Sequence, residues 1–267
     1  MPKLADVPGK RDVATRRELN DASVNATVAT DATVEGVPTV APDLTSVAQD
    51  YLKVIWTARE WSQEEKVTTK LLAERIGVSA STVSEAVRKL ADQGLVEHAR
   101  YGSITLTAQG SRAAVAMVRR HRLLETFLVN ELGYGWDEVH DEAEVLEHAV
   151  SELLMARIDA KLGYPDRDPH GDPIPSVDGD VPTPPARQLS EFAAGQHGRV
   201  ARISDFDPDM LRYFDSVGIA LDTVIEVVER RDYAGTIAVL IGGADSAVDL
   251  GKPAAEAIWL TTCGGTA

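Results

Sequence analysis

Apolar side chains recur at Val47, Tyr51, Val54, Ile55 and Ala58, the spacing of a helix with one buried stripe, and Asp43 or Thr45 can cap its start. A second stripe follows at Leu71, Leu72, Ala73 and Ile76 and stops at Gly77. Ser79 then caps a third helix, SASTVSEAVRKLADQG, which closes at Gly94. With Ala73, Val83 and Val87 turned inward, the pair forms a helix-turn-helix pattern. The period then changes to two: LVEHARYGSITLTAQG alternates apolar and polar positions on either side of Tyr101-Gly102, which predicts a β-hairpin, the wing of a winged helix. A further helix starts at Thr107 or Ser111 and runs to Gly133. The stretch Trp136–Leu162, WDEVHDEAEVLEHAVSELLMARIDAKL, has no Gly or Pro inside and predicts one long helix.

After Gly163 the text changes character. GYPDRDPHGDPIPSVDGDVPTPP is dense in Pro, Gly and Asp and reads as a linker or ordered loop. Beyond it HGRVARIS, TVIEVVERRD, GTIAVLIGG and EAIWLTT are strand-like, with a short helix at DPDMLRYFDSV, and several short strands in so few residues suggest a small SH3-like β-barrel. The opening residues hold four prolines and no aromatic residue, the composition of a disordered extension. The division expected is therefore 1–43 as an extension, 44–112 as a winged helix-turn-helix, 113–184 as a helical metal-binding and dimerisation domain with its Pro-rich linker, and 185–267 as the SH3-like domain. The fold class is mainly α with a small β domain.

Charge sharpens this division. The net charge of −15 argues against nucleic acid until it is apportioned. Residues 45–122 carry 12 Lys and Arg against 8 Asp and Glu, a net of +4, whereas 123–267 carry 10 against 27, a net of −17. Phosphate attraction is local and screened beyond roughly 10 Å, so a DNA-reading head can coexist with an acidic remainder. Ser79, Ser81, Thr82, Ser84 and Glu85 are candidates for the groove end of the third helix, and Arg88, Lys89, Arg100 and Ser103 for phosphate contacts. One cysteine, Cys263, excludes a disulfide framework or a thiolate cluster. With no signal peptide and no apolar run long enough to span a membrane, a reducing cytoplasm is the expected location and no membrane the expected partner.

The chemistry sits on Trp136–Leu162. His140, Glu144, Glu147 and His148 stand 4, 3 and 1 apart, near one stripe of a helix, where ionisable groups are costly unless a cation compensates them. His121 and Glu125, four apart on the preceding helix, offer the same pairing. His98, His170 and His197 read instead as surface or satisfied core residues. Enzymatic versions fail on spacing. His121-Arg-Leu-Leu-Glu125 is not HExxH, Val145 occupies the position that a Glu-x-x-His motif ending at His148 would need, and no nucleophile elbow or phosphate loop occurs. The chain is not expected to be an enzyme.

A winged helix, then RRHRLLETFL, VHDEAEVLEH, DPHGDPIPS and a small β domain together resemble the diphtheria toxin repressor family, over roughly 45–262. The resemblance implies a homodimeric transcriptional repressor that binds double-stranded operator DNA when a divalent metal fills two sites per subunit. It implies a primary site at Asp50, Glu144, Glu147 and His148. The ancillary site it implies is His121, Glu125 and His140, with an oxygen ligand from the β domain at Asp205 or, alternatively, Asp207. Iron-sensing members place Met and Cys where this chain has Asp50 and Glu144, as the manganese regulator branch does not. Mn(II), a hard ion and a weak binder, is selected by oxygen ligands and geometry, so Mn(II) is the expected cofactor, with Fe(II), Co(II) and Zn(II) as alternative occupants. Short manganese regulators carry a Glu where Lys53 stands, which implies two separate sites here rather than a paired cluster. A metal joining Asp50 to the dimerisation helix would order the head; without it, the carboxylates are expected to repel. An Fe(II)-responsive repressor of the same family and a metal-independent winged-helix regulator with an organic ligand are the alternatives.

Overall fold

The computed structural model describes residues 44–61, 66–98 and 102–262; the extension over 1–43, the Asp43 cap, Arg100 and the Tyr101 hairpin tip lie outside them. Thr45 caps α1 (Ser46–Glu60), its hydroxyl accepting from the Ala48 amide at 3.3 Å. Thr68 caps α2 (Thr69–Ile76), and Gly77, at φ +76°, ends it in the left-handed conformation that a side chain disfavours. Ser79 caps α3 (Ala80–Asp92). Strands β1 (Val96–His98) and β2 (Ile104–Leu106) pair antiparallel with Val96 opposite Leu106. Tyr51, Leu52, Ile55, Leu72, Val83 and Val87 fill the core between these elements, while Ala73 is only half-buried.

Thr107 caps the 25-residue α4 (Ala108–Leu132), which leaves this head and becomes the spine of the middle of the chain. Its first turn passes so close to the Leu95 carbonyl that a Cβ on Gly110 would lie 1.9 Å from that oxygen. Trp136–Leu162, expected as one helix, is two: α5 (Val139–Leu146) and α6 (Glu152–Leu162). Local chemistry makes the break. The Ser151 hydroxyl accepts from the Leu154 amide at 3.2 Å and so starts a new helix. From α4, Arg120 donates to the Glu147 carbonyl at 3.0 Å and ion-pairs with Glu152, holding the turn open. Glu147 and His148 therefore sit in a turn, free of the helical stripe.

The C-terminal part contains β3 (Ala186–Gln188), β4 (His197–Ile203), α7 (Pro208–Ser216), β5 (Val224–Arg231), β6 (Thr236–Ile241), β7 (Val248–Gly251), α8 (Lys252–Glu256) and β8 (Ile258–Thr262). The strands form one antiparallel sheet in the order β3-β8-β4-β5-β6-β7 around Phe192, Val200, Phe214, Ile225 and Leu260. Strands β3 and β7 and helix α8 had no counterpart in the sequence reading. The Pro-rich stretch is an ordered loop. Asp168 Oδ1 accepts from the amides of His170 and Asp172, both at 2.9 Å.

A buried polar clasp joins the three parts. Arg122 on α4 donates to both oxygens of Glu60 on α1, at 2.9 and 2.5 Å, and to the Pro173 carbonyl at 2.6 Å. Asp172 accepts from Trp61 Nε1 at 2.6 Å and from Arg202 Nε on β4 at 2.7 Å. The Arg202 guanidinium lies over the rings of Trp61 and Trp259, 5.1 and 4.3 Å from their centres. Bidentate and carbonyl bonds satisfy a guanidinium that burial alone would penalise.

Helical Gly→Ala exchanges ordinarily gain up to about 1 kcal/mol. At Gly110 the sign should reverse, because the new methyl overlaps the Leu95 carbonyl, and a loss of about 1–3 kcal/mol is expected for Gly110→Ala in urea denaturation. A variant as stable as its parent would mean that α4 enters the head differently.

Candidate metal centre

Two groups of ligand-type side chains meet where α1, α4, α5 and the turn after α5 converge. In the first, Asp50, Glu147 and His148 each bring a ligand atom within 4.8 Å of the others. Asp50 comes from α1, in the head; Glu147 and His148 come from the turn that breaks the long helix. His148 is oriented for ligation. Gln49 Nε2 donates to the Leu44 carbonyl at 3.2 Å, which leaves Gln49 Oε1 to accept from His148 Nδ1 at 2.9 Å. His148 Nε2 then faces Asp50 Oδ1 at 2.8 Å, a hydrogen-bond contact with a proton between the two atoms. A polar group on one nitrogen that fixes the other toward a cluster is how metal-binding histidines are held. Burial pushes the Asp50 carboxyl up, against the attraction of His148 and Lys53.

The second group comprises His121 and Glu125 on α4, His140 on α5 and Asp205 from the loop after β4. His121 Nε2 lies 2.9 Å from Glu125 Oε1 and 3.3 Å from His140 Nδ1. His140 Nδ1 also lies 3.3 Å from Glu125 Oε1 and 3.1 Å from Asp205 Oδ2. Asp207, the alternative to Asp205, is engaged elsewhere: its Oδ1 caps α7, accepting from Asp209 and Met210 at 3.0 and 3.3 Å.

His121 belongs to both groups, since its other nitrogen, Nδ1, lies 2.7 Å from Glu147 Oε2. Between the groups stands Lys53. Its ammonium donates to Glu144 Oε1 and Glu147 Oε1, each at 2.6 Å, and approaches His121 Nδ1 at 3.5 Å. Lys53 draws Glu144 to itself, so that Glu144 groups with His121 and His140 rather than with Asp50. It also offsets the carboxylate repulsion expected of the metal-free chain. Burial works against this ammonium, yet Glu147 and Glu144 outweigh it and raise its pKa. For His121, burial pulls the imidazole down, but Glu125 and the hydrogen bonds to Glu125 and Glu147 push it up to about 9. Glu125 is buried and Asp205 half-buried; His121 and His140 hold Glu125, and His140 and His170 hold Asp205, well below the usual carboxylate range.

His170 also lies beside this group, where the sequence reading did not place it. It was taken for a surface or satisfied core residue, yet its ring is fully buried beside Glu125 and Asp205. One signal was available: DPHGDPIP packs a histidine between residues that build tight, rigid loops. His98 and His197 are exposed.

On α3 the side chains of Ser81, Thr82, Ser84, Glu85, Arg88 and Lys89 are all exposed, opposite buried Val83, Val87 and Leu90. Ser79 is taken up as the cap, and Glu85 pairs with Lys89 at 2.9 Å. Ser103 is half-buried, bonded weakly to the Val67 carbonyl at 3.4 Å.

Three family models match the chain in order: the iron dependent repressor N-terminal DNA binding domain over 43–104, the iron dependent repressor metal binding and dimerisation domain over 107–176, and the FeoA domain over 187–262. The iron-dependent repressor IdeR of Mycobacterium leprae is 30% identical over 216 residues, covering 75% of this chain and 91% of that protein. The diphtheria toxin repressor of Corynebacterium diphtheriae is 30% identical over 200 residues, 70% of this chain and 87% of that one. Among solved structures, a manganese-dependent transcriptional repressor in complex with manganese is 71% identical, with a TM-score of 0.77 over 80% of this chain and 99% of that chain. The manganese regulator SloR is 32% identical, with a TM-score of 0.69 over 80% and 98%.

A metal ligand must be an unprotonated imidazole, so ion uptake at His121 and His140 must displace the protons they hold at neutral pH. Metal affinity should therefore rise between pH 6 and 9, by up to about tenfold per pH unit for each proton released. Isothermal titration of the full chain with Mn(II) in buffers of different ionisation enthalpy reads the proton count directly. Binding that neither releases protons nor depends on pH would show that these rings are not ligands.

Proposed function

We propose, from the premise that the chain belongs to the iron-dependent repressor family of metal-dependent, DNA-binding transcriptional repressors, that its effector is manganese(II), bound at two sites per subunit. The work of that family is repression, not catalysis. The observation that carries the metal assignment is the donor set. Among the described residues, every ligand-type group gathered at the centre supplies carboxylate oxygen or imidazole nitrogen. Such a set suits a hard divalent ion, whereas a thiolate or thioether would favour softer ions. The likeness to a repressor whose structure contains manganese supports the same reading.

The primary site is Asp50, Glu147 and His148, completed by Glu144 once Lys53 releases it; the ancillary site is His121, Glu125, His140 and Asp205. The residues fit a cation: His148 Nε2 is already turned to Asp50, so an ion could take the place of the proton they share, and buried carboxylates line both groups. When bound, the ion supplies positive charge that draws these donors together. The mechanism then rests on which element each donor occupies. Asp50 is rooted in α1, which packs on the helices of the DNA-binding head, and Glu147 and His148 are rooted beside the dimerisation surface. Pulling Asp50 toward that turn fixes the head relative to the dimer axis. The exposed face of α3 can then meet successive major grooves at the spacing that a two-fold operator sets. Ser81, Thr82, Ser84 and Glu85 would face base edges, with Ser79 near them at the helix start. Arg88, Lys89 and Arg100 would face phosphates.

The homodimer would form through α5 and α6, where Val145, Leu153 and Leu154 are left exposed in the single chain. Among the described residues no helix is long and apolar enough to cross a membrane. A repressor of this kind would work in the cytoplasm, beside the operators of metal-homeostasis genes.

Fluorescence anisotropy on a DNA duplex selected from a random pool tests the reading. Mn(II) should raise affinity at least about a hundredfold over chelator, within the coupling range of about 1–3 kcal/mol. Equal affinity with Mn(II) and with chelator would end the metal-switch reading. Asp50→Met replaces an oxygen donor with sulfur and should move the response from Mn(II) toward anaerobic Fe(II). An unchanged metal preference would remove Asp50 from the site.

A further inference from the structure

Lys53 is only 6% exposed, and a buried ammonium is stable only where anions accept from it. Its partners are the side chains that the primary site needs. Nζ donates to Glu144 Oε1 and to Glu147 Oε1, each at 2.6 Å. Of the two Glu147 oxygens, Oε1 is the one that approaches the primary group, 3.5 Å from His148 Nε2, while Oε2 is turned to His121 Nδ1 at 2.7 Å. The ammonium therefore holds the oxygen that faces His148. It also keeps Glu144 with His121 and His140, 3.6 Å from His140 Nε2, rather than with Asp50. An ammonium and a divalent ion in contact with one buried carboxylate oxygen oppose each other strongly.

We propose that Lys53 is a tethered stand-in for the metal: in the metal-free protein its ammonium occupies Glu144 and Glu147, and a divalent ion completes the primary site only by displacing it into solvent. This rests on the reading that Asp50, Glu144, Glu147 and His148 hold such an ion. Displacement breaks the two charge-assisted bonds that the ammonium makes, so Lys53 raises the metal concentration at which the site fills. It also moves the hold on the head. Lys53 and Asp50 both belong to α1, three residues apart. A helix rises about 1.5 Å per residue, so passing the hold from Lys53 to Asp50 shifts it by about 4.5 Å along α1. The metal-free and the metal-loaded chain are then both tied to the end of α5, through different points of the same helix. A site that merely lacked its ion would leave α1 without an anchor there; this one exchanges one anchor for another.

The test uses the full-length chain with the ancillary site disabled by His140→Ala and Asp205→Ala. Mn(II) titration, followed by the electron paramagnetic resonance of the free ion, then reads the primary site alone. Lys53→Leu removes the charge and adds no metal ligand. In that background it should tighten Mn(II) binding by about tenfold or more, the scale of removing one opposing charge at contact distance. It should also lower the thermal midpoint more in chelator than in Mn(II), because the ion does for Glu144 and Glu147 what the ammonium did. An ion pair with a structural role alone predicts equal losses in both conditions and no gain in affinity, and that result would overturn the proposal. On the unsubstituted chain, mass-spectrometric footprinting with an amine-acylating reagent follows the ammonium itself. Lys53 should be protected in chelator and modified once Mn(II) is added, since a released ammonium cannot stay buried without partners. Protection that saturating Mn(II) leaves unchanged would also overturn the proposal, and this measurement needs no variant that folds. If the unsubstituted chain takes up no Mn(II), the metal reading falls and the stand-in with it; uptake with Lys53 still protected removes the stand-in alone.

Discussion

Glu147 has no exposed surface, and a carboxylate so placed must be partnered or it destabilises the fold. Its two oxygens are divided between parts of the chain: one accepts from Lys53 of α1, the other faces His121 of α4. The head and the helical spine therefore share one buried charge. Lys53 adds Glu144 to the same bond set, so the ammonium bridges two acidic side chains around the end of α5. Any change in the partners of Glu147 must be felt in α1. That constraint couples the centre to the head.

A second junction lies one residue along α4. His121 faces the metal centre, and Arg122 reaches into the clasp of Glu60, Asp172 and Arg202. Burial works against its guanidinium, but Asp172, Glu60 and Asp168 outweigh that and hold it charged. Through Trp61 and Arg202 the clasp also connects the end of α1 to the β domain without passing through any metal ligand. The β domain thus has two routes to the head: Asp205 through the ancillary group, and Arg202 through Asp172. Two contacts on separate side chains resist rotation of the head better than one.

Much of this was legible before any coordinates. Helix starts at Thr45, Ser79 and Thr107 and stops at Gly77 and Gly133 follow from capping chemistry, which is local. The helix-turn-helix, the wing and the main strands followed from periodicity. The break in Trp136–Leu162 was not legible from composition, because every residue there tolerates a helix. Ser151 was the only local sign, and what fixes the break is Arg120 from another helix binding the Glu147 carbonyl. Strands β3 and β7 are three and four residues long, too short to show alternation. The metal-centre side chains divide in the same way. Pairs at helical spacing, such as His121 and Glu125, announce themselves. His170 does not, since it lies in an irregular loop and meets its neighbours only through tertiary contact.

The position of Lys53 explains why the two groups of donors stay distinct. A cation placed midway between Glu144 and Glu147 would be drawn to both, and there the chain already supplies its own, tethered to α1 and 2.6 Å from each carboxylate. A second positive charge within about 4 Å would be opposed by several kcal/mol in such surroundings. The ammonium stands between Asp50 and His148 on one side and His140 and Asp205 on the other. His121 touches both sides through its two nitrogens, so a shift of that ring toward one group is a shift away from the other. One imidazole thus joins the two groups.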